Sequence, residues 1–152
     1  MNNFVERFDH AIRGYGGDHS PPTEASLNRI STVLRIRFPD LFVKLAMESS
    51  RFGHVFLSLG EDYDSATHII SFNRYWRRRR WTRRLPSDLV IISNGFMDED
   101  FNCLVRPENG DEALAVEYWS PAPIGYPKNG CRGPRYSSFD EYLEALVQPG
   151  LA

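Results

Sequence analysis

The sequence predicts a single α+β domain, and three observations support this fold class. Residues 85–105, LPSDLVIISNGFMDEDFNCLV, contain two short apolar runs separated by a turn, which is the pattern of a β-hairpin. Apolar residues recur at helical spacing before this segment and again near the C-terminus. The chain has 152 residues, of which 41% are hydrophobic, so it can form one good core but not two comfortable domains.

The hairpin segment is the part around which we expect the rest of the chain to pack. Residues 89–92 form an uninterrupted apolar run, which is typical of a strand covered on both faces. We therefore expect this strand in the middle of the sheet. Asn94 and Gly95 can take the positive φ angles of a turn, and residues 101–105 form the returning strand.

Three helices are predicted before the hairpin, each from apolar residues that repeat every three or four positions. The first covers residues 3–13 and ends at the segment GYGGDHSPP, which lacks the lysine and the serine or threonine of a phosphate-binding loop. Thr23 is a suitable N-cap for the second helix, and Pro39 suits the first turn of the third. The repeating residues are Phe4, Phe8 and Ile12, then Leu27, Ile30 and Leu34, then Phe38, Leu41, Phe42 and Leu45.

Two further elements are predicted between the third helix and the hairpin. Apolar positions alternate within residues 51–60, and this pattern predicts a strand. Residues 68–72 fit either a strand or the start of a helix. The arginine-rich stretch that follows favours a helix, because arginine is a good helix former and no glycine or proline intervenes before Pro86.

After the hairpin, the sequence predicts one more strand and a closing helix. Residues 114–118 alternate in polarity as a strand does, and residues 121–134 form a long loop with four prolines and three glycines. Ser138 and Glu141 have the spacing of a capping box, so a helix is expected to begin there. The apolar face of this helix consists of Phe139, Tyr142, Leu143 and Leu146.

The formal net charge of −2 hides an uneven distribution of charge. Residues 74–84 contain seven of the 18 basic residues and no acidic one, which leaves 11 basic against 20 acidic residues elsewhere, a balance of −9. Such asymmetry concerns partners and association rates rather than the fold. The seven arginines are Arg74, Arg77, Arg78, Arg79, Arg80, Arg83 and Arg84.

Three interpretations of the arginine stretch remain open. It can be a charged helix face that pairs with acids of the same chain, at about 0–1 kcal/mol for each exposed pair. It can form a protein interface, because tryptophan among arginines is favoured there, and Trp76, Arg77, Arg80 and Trp81 are the candidates. It can bind nucleic acid, although the acidic balance of the remaining chain opposes this. The two tryptophans are five residues apart, so at least one is expected to be partly exposed.

Two groups of acidic residues are candidates for contacting a basic partner surface or for imitating nucleic-acid phosphates. Complementary charge chiefly speeds encounter and selects partners. The plain interpretation is two solvated turns. Neither group has the spaced ligands and the glycine of a calcium loop, so no metal site is predicted. The residues are Glu61, Asp62 and Asp64 in one group and Asp98, Glu99 and Asp100 in the other.

The residue pattern contains no catalytic motif, and we predict that the protein is not an enzyme and uses no cofactor. The four histidines have no spacing that would hold zinc, and no serine lies in a nucleophile elbow. Cys103 and Cys131 form neither a disulfide framework nor a paired metal motif, so both are expected to be reduced thiols. No apolar run approaches the roughly 20 residues that span a bilayer, and the N-terminus is charged, so a cytoplasmic location is expected.

The order of these features resembles the SUKH superfamily. The resemblance is carried by a helix pair with a hydrophobic-proline elbow, the first hairpin strand, the acidic turn, a further strand and the closing helix. In sequence these are ASLNRISTVLRIRFPDLFVKLAMESSRFG, LPSDLVIISNG, the turn into DFNCLV, ALAVEYW and SSFDEYLEALV. The resemblance covers about residues 23–147, so we expect a SUKH-like domain at 23–148, with 1–22 as an N-terminal helix and linker of the same domain. The chain departs from the family in its arginine stretch, and in Asp98, Glu99 and Asp100, where a Gly-Asp pair is common.

The resemblance implies a central, mostly antiparallel sheet flanked by helices. Bacterial members look like immunity proteins, each of which binds the toxin domain made by its own lineage, often a nuclease, and blocks it without doing chemistry. We therefore expect a cytoplasmic immunity protein that occludes the active site of a cognate toxin, with no membrane partner. The interface would contain both acidic groups and the four candidates of the arginine stretch. A regulatory scaffold like the eukaryotic members, and a nucleic-acid-binding module working through residues 74–84, are the alternatives.

Overall fold

The computed structural model of the protein describes residues 4–12, 21–79, 84–93, 101–121 and 130–148, with only the backbone of 134 and 135. Five α-helices and a four-stranded antiparallel sheet occupy these residues, which confirms the predicted α+β fold. The helices are α1 (Phe4–Ala11), α2 (Glu24–Leu34), α3 (Asp40–Glu48), α4 (Ile69–Arg77) and α5 (Phe139–Val147). The strands are β1 (Leu89–Ser93), β2 (Phe101–Val105), β3 (Val116–Ser120) and β4 (Cys131–Tyr136).

The four strands lie in the sheet in chain order, and each neighbouring pair is antiparallel. The predicted hairpin is confirmed, because β1 pairs with β2 and Ile91 lies opposite Cys103. However, β1 stands at one edge of these described strands, so the prediction that it lies in the middle of the sheet is wrong. All five of its residues are buried, although only one strand pairs with it.

The outer edge of β1 is covered by side chains and by a loop instead of by another strand. The Asn73 side chain accepts a hydrogen bond from the Ile91 N–H at 2.8 Å and donates one to the Ile91 carbonyl at 2.9 Å. The Leu57 N–H donates to the Ile92 carbonyl at 2.9 Å. These bonds satisfy backbone groups that an edge strand normally exposes to water. β1 is therefore apolar because it is buried beneath α4 and beneath the segment that precedes α4.

The strand predicted over residues 51–60 is wrong. The segment begins with a short 3₁₀ helix, and its pairing in strand form is limited to a single bridge between Ser58 and His68. Residues 55–57 are all buried, whereas a strand with one solvated face would alternate. The segment is apolar because it runs through the core, with one backbone bond to β1.

Strand β4 occupies residues that the sequence assigns to a long loop, so that loop boundary is wrong. Pro134 lies within this strand, and the pairing with β3 shifts next to it. Proline is tolerated at such a position because β4 is an edge strand of the described sheet. Gly133 permits close packing, since a Cβ atom there would lie 2.7 Å from the Tyr118 ring. The glycines and prolines therefore mark an irregular edge strand.

Strand β3 begins two residues later than the sequence predicts. The chain before it is held by the α2–α3 connection, where the Ala113 N–H donates to the Arg37 carbonyl at 2.8 Å. Leu114 is consequently outside the strand and 51% exposed. Near the other end of β3, Trp119 is fully buried, and the register between β3 and β4 shifts just before this residue.

The predicted starts of the second helix and of the closing helix are confirmed by their caps, whereas Pro39, predicted in the first turn of the third helix, is the residue before α3 begins. Thr23 accepts a hydrogen bond from the Ser26 N–H at 3.0 Å, and the Ser26 hydroxyl lies 3.0 Å from the Thr23 N–H, which completes a capping box. Ser138 accepts from the Glu141 N–H at 3.1 Å at the start of α5. Of the two alternatives for residues 68–72, the helix is correct.

The core is dominated by aromatic rings at two places. Phe42 of α3 lies at the first, where four phenylalanine rings have their centroids within 5.1–5.5 Å of its own. At the second, Trp76 of α4 packs against Phe101 and Trp119 of the sheet, at 5.3 and 5.8 Å. The four rings around Phe42 belong to Phe38, Phe52, Phe56 and Phe139.

Candidate partner-binding surface

The first predicted acidic group lies on a loop of residues 60–67, which we call the acidic loop. The carboxylates of Glu61, Asp62 and Asp64 are all exposed. Within the loop, the Ser65 N–H donates to the Asp62 carbonyl at 3.2 Å, and the Tyr63 N–H donates to the Glu61 carbonyl at 3.0 Å. These turns direct three negative charges toward solvent from a short stretch of chain.

His68 anchors the end of the acidic loop to the protein interior. Its Nδ1 accepts a hydrogen bond from the Ile70 N–H at 3.1 Å, so the ring proton is on Nε2, which donates to the Gly60 carbonyl at 2.8 Å. Burial lowers the pKa of His68, assisted by Arg29 and opposed by the bond to Gly60 and by Asp62. The neutral ring thus ties both ends of the loop together.

Helices α2 and α4 hold the acidic loop from two sides. The Ser71 hydroxyl of α4 donates to the Tyr63 carbonyl. The Tyr63 ring lies edge-on to His68 at 5.2 Å and beneath the Arg29 guanidinium of α2, 4.1 Å from the ring centroid. The loop is therefore preorganised, and Arg29 places one positive charge beside its carboxylates.

Glu24 extends the acidic surface onto the first turn of α2. The Thr23 hydroxyl donates to a Glu61 carboxylate oxygen at 2.9 Å, which brings the exposed neighbour Glu24 next to the loop. No sequence pattern identifies Glu24, because this contact joins residues that are 38 positions apart. We call Glu24, Glu61, Asp62 and Asp64 the acidic surface.

Two of the predicted interface residues in the arginine stretch make contacts within the fold. Trp76 is only 7% exposed, because it lies on the inward face of α4, so its side chain is not presented to a partner. Arg77 is half-buried and donates to the carbonyl oxygens of Ser87 and Leu89, at 3.3 and 2.7 Å. Burial lowers the pKa of Arg77. The described residues of this stretch that a partner can contact are therefore on the opposite side of α4.

Arg74 and Tyr75 lie on the outward face of α4 and Arg78 is its C-cap residue, and we call these three residues the basic strip. All three are exposed, and Tyr75 is 56% exposed. Among the described residues, no carboxylate forms an ion pair with either arginine of the strip. The predicted pairing of these charges with acids of the same chain is thus not seen in this part of the protein.

The remaining candidates lie outside the described residues, and their place in the interface stays a prediction. They are Arg80 and Trp81 of the arginine stretch, and Asp98, Glu99 and Asp100 of the second acidic group.

The described residues contain no group of three or more histidine, cysteine, aspartate or glutamate side chains that could hold a metal ion. Cys103 is buried and Cys131 is exposed, and both are free thiols. Two open depressions of about 290 and 320 Å³ occur near the β2–β3 connection, and their linings contain none of the predicted interface residues. No helix within the described ranges has the length and apolar character required to span a bilayer.

Comparison with known proteins identifies the family. Among curated proteins, none matches this chain. A solved structure, described as the crystal structure of a protein from Pseudomonas syringae pv. tomato, is 18% identical, and the match covers 91% of each chain with a TM-score of 0.58. At this identity, the match shows that the two proteins share a fold. Residues 21–145 match the SMI1/KNR4 family (SUKH-1), and because they include every described element except α1 and the end of α5, this chain belongs to that family.

Proposed function

We propose that this protein is an immunity protein that binds the toxin domain made by its own lineage and covers the active site of that toxin. The observation that carries the proposal is the acidic surface, which a SUKH-1 domain presents on a preorganised loop and on the adjoining first turn of α2. A toxin that cleaves nucleic acid needs a basic cleft for its phosphate-bearing substrate. Four clustered carboxylates match such a cleft in charge.

The rigidity of the acidic loop supports a binding role. Hydrogen bonds from Thr23, His68 and Ser71 fix the loop before any partner arrives. A surface that is already ordered loses less conformational entropy on association, which favours affinity. The negative charges accelerate encounter with a basic partner, while the contacts around them set the lifetime of the complex. Blocking a toxin in this way requires tight binding and no chemical step by the immunity protein.

The test is co-expression with a toxin domain of the same lineage, and the reading frame immediately upstream of this gene is the first place to look for it. We expect this chain to restore growth of cells that produce the toxin domain, and the two purified proteins to elute as a stoichiometric complex in size-exclusion chromatography with light scattering. Growth that is not restored, together with two separately eluting proteins, would contradict the proposal.

A further inference from the structure

We infer that the basic strip of α4 is the second half of the same interface and that it meets an acidic patch on the toxin domain. This inference rests on the proposed function, and it specifies both the residues and the chemistry of the partner surface. The partner would therefore present a basic region to the acidic surface and carboxylates to Arg74 and Arg78, with Tyr75 between these two arginines along the helix.

A hydrogen bond between the acidic loop and α4 places the two charged regions next to each other. The Ser71 hydroxyl bonds to the Tyr63 carbonyl, so the acidic loop lies against the first turn of α4. From Ser71, residues three, four and seven positions later fall on the same helix face, and these are Arg74, Tyr75 and Arg78. At 1.5 Å per residue, the strip extends about 10 Å along the helix from the loop. One face of the protein is thus negative at one end and positive at the other.

Tyr75 has the properties of an interface anchor. It is the most exposed of the large apolar side chains in the described part of the chain. Its ring packs edge-on against Trp76 at 5.1 Å, and its hydroxyl accepts a hydrogen bond from Arg79 at 2.8 Å. The ring is therefore held in place while most of its surface remains open. Tyrosine and arginine are among the residues that contribute most to binding at protein interfaces.

Fold stability accounts for only part of this arrangement. Arginines in the last turn of a helix interact favourably with its dipole, which explains a preference for positive charge at Arg74. The contacts of Tyr75 with Trp76 and Arg79 hold its ring on the helix surface, but they still leave the side chain 56% exposed. The two arginines of the strip form no ion pair with a carboxylate of the described residues, so a partner carboxylate can bind them without displacing one of those carboxylates.

The acidic surface favours a protein over a nucleic acid as the partner of the basic strip. A phosphate backbone that follows α4 toward its N-terminus would meet Asp62 and Asp64, whose charges repel it. A protein surface can carry both signs of charge in the complementary order. We therefore assign the strip to the toxin domain.

The experiment measures binding of the purified toxin domain to the wild-type chain and to variants of the strip. Tyr75→Ala is expected to increase the dissociation rate constant at least tenfold, and the double variant Arg74→Glu, Arg78→Glu is expected to weaken binding by a similar or larger factor. Leu114→Ala and Arg37→Glu are the matched controls, because Leu114 and Arg37 are exposed elsewhere in the chain. Both controls should bind as the wild type does, and circular dichroism should show that all variants are folded.

A second readout does not depend on the cost of a substitution. A photo-crosslinking benzoylphenylalanine placed at position 75 should form a covalent adduct with the toxin domain, and the same group at position 114 should not. If the wild type forms the complex while the strip variants bind unchanged and position 75 gives no adduct, the inference is overturned and the proposed function stands. If the wild type forms no complex, both are overturned. Binding of a 12-nucleotide single-stranded RNA that is lost in the arginine double variant, with toxin binding intact, also overturns the inference.

Discussion

Single residues explain how an edge strand remains buried in this fold. Asn73 is fully buried, and its amide group bonds to both backbone groups of Ile91 and also to the Ile69 carbonyl at 2.8 Å. One side chain thereby makes the hydrogen bonds to Ile91 that a further neighbouring strand would make. Its contribution is large because both partners on Ile91 are buried and would otherwise be unsatisfied.

Replacement of Asn73 by alanine is expected to lower the free energy of unfolding by about 2–4 kcal/mol, since it leaves two buried backbone groups of Ile91 without those partners. Urea denaturation followed by circular dichroism measures the change. Asn28→Ala is the control, because Asn28 is exposed on α2 and its replacement should change stability by less than about 0.5 kcal/mol. A small effect at Asn73 would show that water replaces its amide.

His68 gives the protein a predictable response to acid. Its folded-state pKa is lowered below the ordinary value of 6.5, so the unfolded chain binds a proton more readily than the folded one. The stability that His68 provides is complete above pH 6.5 and is lost as the pH falls from there toward the lowered pKa, by at most about 1.4 kcal/mol per pH unit. Urea midpoints at pH 7.5 and 5.5 should differ more in the wild type than in His68→Gln. His54→Gln should keep the wild-type difference, and an equal difference in all three proteins would contradict this assignment.

At the scale of elements, three arginines connect the turn before β1 to the rest of the molecule. Arg77 reaches the turn from α4, Arg106 from the end of β2 and Arg132 from β4. Arg106 also donates to the Leu34 carbonyl at 2.6 Å, so it satisfies the C-terminus of α2 at the same time. The turn is therefore linked to α4, β2 and β4, and through Arg106 to the C-terminus of α2.

Of these three arginines, Arg132 differs in that its partners are carboxylates and not backbone carbonyls. Arg132 donates to both carboxylate oxygens of Asp88, at 3.0 and 2.9 Å, and to both of Glu117, whose side chain is only 10% exposed. The bonds to Glu117 chiefly raise the pKa of Arg132, and the bonds from Arg132 hold the pKa of Asp88 below its usual value. These two pKa shifts show that Arg132 and Asp88 each stabilise the charged form of the other.

Arg132→Leu should therefore lower the free energy of unfolding by about 1–3 kcal/mol, because the largely buried Glu117 carboxylate loses the hydrogen bonds that it receives from Arg132. Solvent around Arg132 and Asp88 keeps the effect below that of a fully buried pair. Differential scanning calorimetry measures it. Arg7→Leu is the matched control, since it removes the exposed pair with Glu144 and should change the melting temperature much less. Equal shifts in the two variants would show that burial of Glu117 has no influence.

For the whole molecule, the distribution of charge matters more than its sum. The formal net charge is only −2, yet the acidic loop is bonded to the first turn of α4, the helix that carries the basic strip toward its C-terminus. Fields of this kind change association rates by factors of about 10 to 1,000 and weaken as salt is added. The proposed complex should show this dependence.

The triple variant Glu61→Gln, Asp62→Asn, Asp64→Asn is expected to associate with the toxin domain about tenfold more slowly at low salt, because it removes most of the attraction to a basic cleft. Stopped-flow fluorescence at 50 and 300 mM NaCl measures the rate constants. A control triple variant, Glu48→Gln, Glu108→Gln, Asp140→Asn, changes the net charge equally at exposed positions elsewhere. If the two triple variants slow association equally, net charge and not the acidic loop governs the encounter.

The sequence by itself determined the α+β class, helices α1, α2, α3 and α5, the caps of α2 and α5, and the β1–β2 hairpin, whereas it left residues 68–72 open between a strand and a helix. These features depend on residues a few positions apart, such as the capping pairs Thr23 with Ser26 and Ser138 with Glu141, and such local interactions are readable from spacing. Only the tertiary structure decided that β1 is an edge strand, because Asn73 covers it from 18 residues away. It likewise decided which charges are available to a partner, since Arg77 is held by backbone carbonyls and Trp76 by the core, whereas Glu24, Arg74, Tyr75 and Arg78 face solvent. The physical reason is that burial and long-range hydrogen bonds select among chemically similar residues, and spacing along the chain carries no information about that selection.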